Sequence, residues 1–371
     1  MGDMPPKISA MTSDGKARSA RLVLKDGSVF PGLPFGFPAP VSGEVVFNTG
    51  MVGYPETLTD PSYRGQILVL TYPLIGNYGV PERCITDGLD LTFESGEIQI
   101  TGLVVAEASM DYSHWSAAKS LGQWLTEQGV PGLTEVDTRA LTKRLRERGV
   151  MLGKIVADDE DIDLRDPNRD NLVSLVSVKE PVIYGSGDKR VVVVDCGCKN
   201  SIIRSLTSRG LTVIRVPWDY DFLREDFDGV VVSNGPGDPK TCVETIAHVR
   251  RAMEKEYPVF GICLGHQILA LAAGADTYKL KFGHRGQNQP CAWVDTSRCY
   301  VTSQNHGYAV DDRALPDGWA AWFRNANDGT NEGIRHRSRP FMSVQFHPEA
   351  APGPLDTAFL FDEFVGMLHA R

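Results

Sequence analysis

Residues 258–267 read PVFGICLGHQ, a pattern typical of a strand that turns sharply into a helix. An apolar run ends at Gly261, and apolar residues at helical spacing continue to Gly274. Cys263 has glycine two positions before and two positions after it, which permits a tight turn that lifts its side chain above the sheet edge. The free N–H groups and dipole of the following helix favour a thiolate and can hold an oxyanion. The stretch therefore predicts a nucleophile, the alternative being a buried cysteine in an ordinary turn.

The alternation of strand and helix extends through the C-terminal half of the chain. Strands are predicted at 191–194, 212–216, 229–233, 258–261 and 341–346, and helices at 201–209, 241–256 and 268–273. Such alternation implies a parallel sheet with helices on both faces. We therefore expect an α/β fold with a doubly wound parallel sheet, in which ligands bind at the carboxyl ends of the strands.

The N-terminal half has a different character, with short strand-like runs punctuated by Gly and Pro. Strands are predicted at 21–24, 43–47, 66–71 and 102–106, and helices at 116–128 and after the capping residue Asp137. Asp, Asn, Pro, Ser and Gly then cluster, as in a linker. The predicted organisation is a flexible tail at 1–20, a smaller β-rich mixed α/β domain at 21–156, a linker at 157–188 and the parallel-sheet domain at 189–371.

Composition excludes several classes of protein. The 371 residues are 42% hydrophobic and 23% charged, as in a globular protein with a core, and the net charge of -9 argues against nucleic acid as a partner. No apolar run approaches the roughly 20 residues that span a bilayer. Seven irregularly spaced cysteines indicate a reducing compartment, and we expect the cytoplasm. Cys196 and Cys198 lack a second pair at zinc-ligand spacing, so packing beneath a turn is favoured over metal binding.

A thiolate nucleophile needs a proton shuttle and a group that orients it. The stretch QFHPE at 345–349 supplies both, because His347 follows a predicted strand and Glu349 stands two positions later. The alternative for His347 is a structural histidine. His266 is expected to pack locally, and a structural role is also favoured for the isolated histidines His114, His248, His284, His336 and His369.

Two further polar stretches follow predicted strands. SNGPGDP at 233–239 is a rigid, glycine-rich loop whose N–H groups could complete an oxyanion hole opposite Leu264, although a plain turn is the alternative. SQNHGY at 303–308 is interpreted as a polar loop that could recognise the α-amino and carboxylate groups of an amino acid. Its alternative is a solvated loop, and His306 within it is ranked between catalytic and structural.

These motifs together resemble the class I, triad-type glutamine amidotransferases. The resemblance rests on GICLGHQ at 261–267, NGPG at 234–237 and HPE at 347–349. The N-terminal half resembles the small-subunit domain of carbamoyl phosphate synthetase, through GEVVFNTGM at 43–51, LTDPSY at 58–63, YPLIGN at 72–77 and VDTR at 136–139. KFGHRG at 281–286 and SQNHG at 303–307 fit the same family, and the resemblance covers nearly everything from about residue 21 onward.

The resemblance implies a role for individual residues. Cys263 is the nucleophile, His347 the general base and then acid, and Glu349 the orienting carboxylate. The residues that bind L-glutamine are Ser62, Gly235, Gly237, Leu264, Gln267, Asn305, Gly307 and Tyr308. Ser62 is expected to reach in from the N-terminal domain. Tyr308 is a mild departure, since the family often has Phe there.

The resemblance also implies partners. Ammonia released from glutamine passes to a synthetase large subunit or fused domain, which makes carbamoyl phosphate from bicarbonate and ATP. No ATP motif is visible in the sequence, so we expect no metal and no cofactor in this chain, with ATP and a divalent metal on the synthetase. A large partner or a C-terminal continuation of the chain is therefore expected. Two alternatives stay open: another cysteine hydrolase on the same fold, and a non-catalytic regulatory amidotransferase domain.

Overall fold

The computed structural model describes residues 19–157 and 160–370. The predicted tail lies outside the described residues up to position 18, as do residues 158–159 of the predicted linker. The chain divides into two compact units. The first contains the described residues up to Phe47, with Gln66–Pro81 and Thr101–Asp166, and the second contains Asn48–Gly65, Glu82–Ile100 and the described residues from Pro167 onward.

Strands of the first unit close into a barrel. In order of neighbours they are Ala20–Leu24, Met151–Ala157, Val41–Asn48, Gln66–Leu70, Gly102–Val104, Pro131–Thr134 and Val29–Gly36. Leu22, Val45 and Leu133 on these strands are completely buried. Closure leaves no barrel strand with an unpaired edge. The sequence prediction of a β-rich domain is confirmed.

Two helices accompany the barrel strands in the described part of this unit, Leu121–Glu127 and Thr138–Arg148. The Asp137 carboxylate accepts a hydrogen bond from the backbone N–H of Ala140 at 2.8 Å, which confirms the predicted cap. The other helix begins later than predicted, because Ser120 caps it through the N–H of Gln123. Short strands complete the unit at Leu74–Ile75, Val80–Pro81, Glu107–Ala108 and Ala117–Lys119.

The second unit is built on one large mixed sheet. Its strands, in order of neighbours, are Val182–Tyr184, Thr212–Pro217, Arg190–Asp195, Gly229–Val232, Val259–Ile262, Phe341–Val344, Asn331–His336, Trp319–Asn325, Asp276–Trp293 and Cys299–Asp311. The strands from Thr212–Pro217 to Phe341–Val344 are parallel to one another. This confirms the predicted parallel sheet, whose antiparallel extension beyond Phe341–Val344 was not predicted.

Both faces of this sheet are covered, as the successive valines at 191–194 show. Val191 and Val193 pack with the helices Asn200–Thr207 and Phe359–His369, whereas Val192 and Val194 pack with Val243–Glu254 and Leu264–Ala273. Alternate residues of a strand point to opposite faces, so a continuous apolar run is required where helices cover both. The sheet is therefore doubly wound, as predicted.

The structure differs from the sequence prediction in two further regions. Residues 303–308 are not a loop but the middle of the strand Cys299–Asp311. The predicted linker contains the helix Val173–Val176 and the strand Val182–Tyr184, which pairs antiparallel with Thr212–Pro217. Local propensity missed the strand at residues 303–308 because pairing with the neighbouring strand overrode their polarity.

Two segments of the N-terminal half pack with the second unit. They carry the helix Tyr54–Thr59, the 3₁₀ turn Pro61–Tyr63 and the short strands Ile85–Thr86 and Leu89–Asp90. Further 3₁₀ turns lie at Pro167–Arg169, Phe222–Arg224, Pro239–Thr241 and Asp312–Ala314. None of the helices in the described ranges is both long and apolar enough to cross a membrane.

Candidate active site

Cys263 occupies the strained turn that the sequence predicts. It lies between the strand Val259–Ile262 and the helix Leu264–Ala273, with φ 55° and ψ -103°. Such a conformation is costly for a residue with a side chain and persists only where the surroundings enforce it. A Cβ on Gly261 would lie 2.4 Å from the Gly265 carbonyl oxygen, and one on Gly265 would lie 2.0 Å from the Val232 carbonyl oxygen. Both glycines are therefore required for the turn to pack against its neighbours.

His347 and Glu349 lie at the same edge of the sheet as Cys263. His347 follows the strand Phe341–Val344, which is the parallel neighbour of Val259–Ile262, and the N–H of Cys263 donates to the Val344 carbonyl at 2.9 Å. His347 Nδ1 is 2.6 Å from Glu349 Oε1. His347 Nε2 is buried and has no hydrogen-bond partner among the described residues, which leaves it available for proton transfer.

The electrostatics of this pair favour a protonated imidazole. Burial alone would lower the pKa of His347, but the Glu349 carboxylate and the Cys263 sulfur outweigh it and raise the pKa to about 10. Burial alone would raise the pKa of Glu349, whereas Lys199 and His347 lower it to about 2. Glu349 is thus ionised and accepts the Nδ1–H of His347, which orients Nε2.

Lys199 belongs to the site but was missed by the sequence analysis. Its ammonium is 3.0 Å from Glu349 Oε1 and donates to the Ala350 carbonyl at 2.5 Å. Burial lowers the pKa of Lys199, but the carboxylates of Glu349, Glu94 and Asp60 raise it above the usual value. The signal for it was its position after the strand Arg190–Asp195, at the edge where Cys263 lies.

The glycine-rich loop predicted to face the nucleophile does contact its helix. The loop follows Gly229–Val232, and a Cβ on Gly235 would lie 2.9 Å from Leu264 Cδ2 and 1.9 Å from the Cys196 carbonyl oxygen. Only glycine fits there. Gly237 has φ 86°, a conformation that also favours glycine. Gly235 and Leu264 are therefore adjacent.

Asp60 holds several of the predicted binding residues together. Its carboxylate accepts hydrogen bonds from the Ser62 N–H at 2.9 Å, the Asn305 side-chain amide at 2.9 Å and the Asn234 side-chain amide at 3.3 Å. Asn234 also donates to the Ser62 hydroxyl at 2.9 Å. The sequence analysis quoted Asp60 within a motif but gave it no role. Ser62 was expected to come from a separate domain, but it packs in the same unit as Cys263.

The strand Cys299–Asp311 supplies the remaining predicted residues. The Asn305 carbonyl oxygen is 3.6 Å from Cys263 Sγ. Gln267 donates to the Tyr308 carbonyl at 2.9 Å and to Gln345 Oε1 at 3.0 Å, so it fixes this strand to the nucleophile helix. Gly307 lies between Asn305 and Tyr308 on the strand. The Tyr308 ring faces the Lys279 ammonium, so its link to Gln267 is through the backbone.

The surroundings of His266, Cys196 and Cys198 indicate structural roles for these residues. Burial lowers the pKa of His266 to about 3, and its Nδ1 is 2.9 Å from the Ser343 hydroxyl. Burial raises the pKa of the Cys196 and Cys198 thiols. Within residues 19–157 and 160–370, neither thiol belongs to a group of three metal-ligating side chains.

Two family models match the chain. Residues 192–367 match the family model described as glutamine amidotransferase class-I, and residues 22–155 match the model of the carbamoyl-phosphate synthase small chain, CPSase domain. The fold is therefore that of a class I glutamine amidotransferase. The chain is 49% identical over 389 residues to the carbamoyl phosphate synthase arginine-specific small chain of Aspergillus fumigatus, covering 98% of this chain and 86% of that one. It belongs to the family of carbamoyl-phosphate synthase small chains, the glutamine amidotransferase component.

Longer relatives contain the same region. The chain is 56% identical over 353 residues to multifunctional protein CAD of Squalus acanthias, covering 93% of this chain and 16% of the relative. It is 50% identical over 358 residues to the mitochondrial carbamoyl-phosphate synthase [ammonia] of Homo sapiens, covering 95% and 24%. The chain thus spans a quarter or less of the length of these two relatives.

Proposed function

We propose that this chain hydrolyses L-glutamine to glutamate and ammonia through Cys263, His347 and Glu349. The ammonia passes to a synthetase large subunit or fused domain, which makes carbamoyl phosphate from bicarbonate and ATP for pyrimidine synthesis, arginine synthesis or both. ATP and its divalent metal act on the synthetase, and the protein works in the cytoplasm. The observation that carries the proposal is His347, which is oriented by Glu349 and interacts electrostatically with Cys263 in a strained turn.

The first half of the reaction forms a thioester. The Cys263 thiolate attacks the side-chain carbonyl carbon of glutamine. The resulting oxyanion is held by the N–H of Leu264 and by the loop that contains Gly235 and Gly237. Nε2 of His347 gives its proton to the amide nitrogen, the C–N bond breaks and ammonia leaves. The raised pKa of His347 supports this role, because the imidazole carries a proton when the thiolate attacks.

The second half releases glutamate. Neutral His347 takes a proton from water at Nε2, and the hydroxide formed attacks the thioester carbonyl carbon. The C–S bond breaks, Cys263 leaves as a thiolate, and the new carboxyl group loses its proton to solvent. The imidazolium is regenerated beside the thiolate. Glu349 stays ionised throughout, as its pKa of about 2 supports.

Binding of glutamine is assigned to the polar groups around Asp60 and along the strand Cys299–Asp311. Ser62 and Asn305 are held by the Asp60 carboxylate, which fixes their polar atoms before substrate arrives. Gly307 and Tyr308 contribute through their backbone, and Gln267 holds the Tyr308 carbonyl in place. Prearranged groups of this kind raise affinity because little conformational freedom is lost on binding.

The decisive test is glutamine hydrolysis by the wild type and by Cys263→Ala, each with and without the synthetase. The wild type releases glutamate, and Cys263→Ala does not. Cys299→Ala is the matched control, because it removes an exposed thiol and should leave the rate unchanged. Equal hydrolysis by wild type and Cys263→Ala would refute the mechanism. Peptidase or γ-glutamyl hydrolase activity without glutaminase activity would favour a different hydrolase, and loss of all hydrolysis even with the synthetase would favour a regulatory domain.

A further inference from the structure

A second cluster of titratable side chains lies in the extension of the large sheet. His284, His306 and Glu332 come from three different strands, Asp276–Trp293, Cys299–Asp311 and Asn331–His336. One nitrogen from each histidine and one oxygen from Glu332 lie within 4.8 Å of one another. The three residues are 8%, 4% and 0% exposed. Neither His284 nor Glu332 has a part in the proposed glutaminase reaction.

His306 presents an unprotonated nitrogen to this cluster. Its Nδ1 is 2.8 Å from the Tyr308 carbonyl oxygen, which can only accept, so Nδ1 carries the hydrogen. The lone pair is then on Nε2. That atom lies 3.2 Å from Gln304 Oε1 and 3.8 Å from Glu332 Oε1, so it faces two oxygen atoms that are themselves acceptors. Gln304 has this orientation because its amide nitrogen donates to Thr302 Oγ1 at 3.1 Å.

His284 is oriented in the same manner. Its Nε2 is 2.8 Å from Asp328 Oδ2, and a carboxylate accepts the N–H at that position. Nδ1 lies 3.3 Å from Glu332 Oε1, so this nitrogen can hold either a proton shared with Glu332 or a metal ion. A carboxylate or backbone carbonyl that accepts the second ring N–H of a histidine is typical of metal-ligating histidines.

Glu332 completes the arrangement. Its Oε1 accepts a 3.4 Å hydrogen bond from the Asn325 amide, and its Oε2 has no partner among the described residues. An unsatisfied oxygen of a fully buried carboxylate is costly unless a cation compensates it. One nitrogen of each histidine and this carboxylate thus lie close together in a buried space.

We propose that His284, His306 and Glu332 bind one divalent transition-metal cation of the Zn²⁺ type. Bonds of 2.0–2.1 Å in a tetrahedral site place ligand atoms about 3.3 Å apart, close to the 3.3 and 3.8 Å that separate Glu332 Oε1 from the two histidine nitrogens. Two imidazoles and one carboxylate favour Zn²⁺ over Mg²⁺ or Ca²⁺. Gln304 Oε1 or water supplies the fourth ligand. This proposal departs from the expectation of no metal in this chain.

The cluster lies on the strand that contacts the nucleophile, so a metal bound there would affect the position of that strand. His306 is the direct neighbour of Asn305 and Gly307, and the Asn305 carbonyl lies 3.6 Å from Cys263 Sγ. A metal bound to three strands would hold this stretch of Cys299–Asp311 against the strands beside it. Asp328, whose side chain is 46% exposed, lies between His284 and solvent, so the proposed site is one residue from the surface.

The test measures metal content, so it does not depend on glutaminase activity. The purified chain is stripped with a chelator, titrated with Zn²⁺ alone and analysed by calorimetry and elemental analysis. Wild type is expected to bind one equivalent, and Glu332→Gln to bind at least about 100-fold more weakly. Asp328→Asn, which removes only the carboxylate behind His284, should lower affinity about 10- to 100-fold. His336→Gln and Cys263→Ala are the controls and should bind as wild type does.

Three results would overturn the proposal. The first is a wild type that binds no Zn²⁺, which would leave His284 as an imidazolium held between Asp328 and Glu332. The second is equal binding by wild type and Glu332→Gln, and the third is loss of binding in Cys263→Ala, which would place the ion at the nucleophile. Thermal unfolding with and without Zn²⁺ distinguishes a variant that has lost metal binding from one that is poorly folded. Zn²⁺ should raise the Tm of wild type and leave the Tm of a folded Glu332→Gln unchanged.

Discussion

Substitution of Gly265 by alanine tests whether backbone packing positions the nucleophile. The new Cβ would lie 2.0 Å from the Val232 carbonyl oxygen and 2.6 Å from its carbonyl carbon. Contacts of a Cβ below 3.0 Å are essentially never observed, so the helix Leu264–Ala273 and the strand Gly229–Val232 must separate by about 1 Å. Both clashing groups are backbone and cannot rotate away. We therefore expect a loss of about 3 kcal/mol in the free energy of unfolding.

The same displacement should impair catalysis. Cys263 precedes this helix directly, so a shift of about 1 Å moves its sulfur relative to Nε2 of His347 and lowers kcat by about 100-fold. Urea unfolding measures the stability, and glutamate release with the synthetase present measures the rate. Alkylation of Cys263 by iodoacetamide reports the reactivity of the thiolate without the substrate.

Gly366→Ala is the matched control for this substitution. Gly366 lies in the helix Phe359–His369, and a Cβ there would meet nothing within 4 Å. Alanine is favoured over glycine in a helix interior by about 0.5–1 kcal/mol, so this variant should be slightly stabilised and fully active. The reasoning is refuted if Gly265→Ala matches wild type in stability, alkylation rate and kcat.

Three further predictions concern the charged groups around His347. Glu349→Gln should lower kcat about 100-fold or more, because the new amide donates a hydrogen bond to Nδ1 of His347 and so places the imidazole hydrogen on Nε2. Steady-state kinetics at constant pH measure this effect, and an unchanged kcat would contradict it. Lys199→Met removes the ammonium that faces the buried Glu349 carboxylate and should lower the free energy of unfolding by about 3 kcal/mol, whereas an unchanged urea midpoint would argue against a stabilising ion pair. Because the pKa of His347 is raised from 6.5 to about 10, its contribution to stability is complete below about pH 6.5 and is lost as the pH rises through about 10. Urea unfolding of wild type and His347→Gln at both ends of this range should therefore converge at high pH, and a constant difference would be inconsistent with the raised pKa.

The parallel sheet and the turn at Cys263 could be predicted from sequence because their signals are local. A run such as 191–194 can be satisfied only by burial on both faces of a strand, and alternation with helices dictates parallel pairing. The glycines two positions before and two positions after Cys263 predict a tight turn in the same direct manner. His347 and Glu349 could be paired because only two positions separate them.

Long-range pairing was not readable in this way. The polar residues 303–308 have little strand propensity, yet they pair with Asp276–Trp293, whose own hydrogen-bonding groups need partners. Asp60 likewise gave no local signal, and the position of Lys199 after the strand Arg190–Asp195 did not identify its partner. Asp60 meets Asn305 across 245 positions of sequence, and Lys199 meets Glu349 across 150.

The sequence by itself determined the parallel sheet, the strained turn at Cys263 and the His347–Glu349 pair, because each depends on the period or spacing of neighbouring residues. Only the tertiary structure decided which buried charges face one another. It placed Lys199 against Glu349, gathered Ser62 and Asn305 around Asp60, and brought His284, His306 and Glu332 together from three strands. The physical reason is that a charge is buried only where distant parts of the chain supply its partner, and no local pattern records that partner.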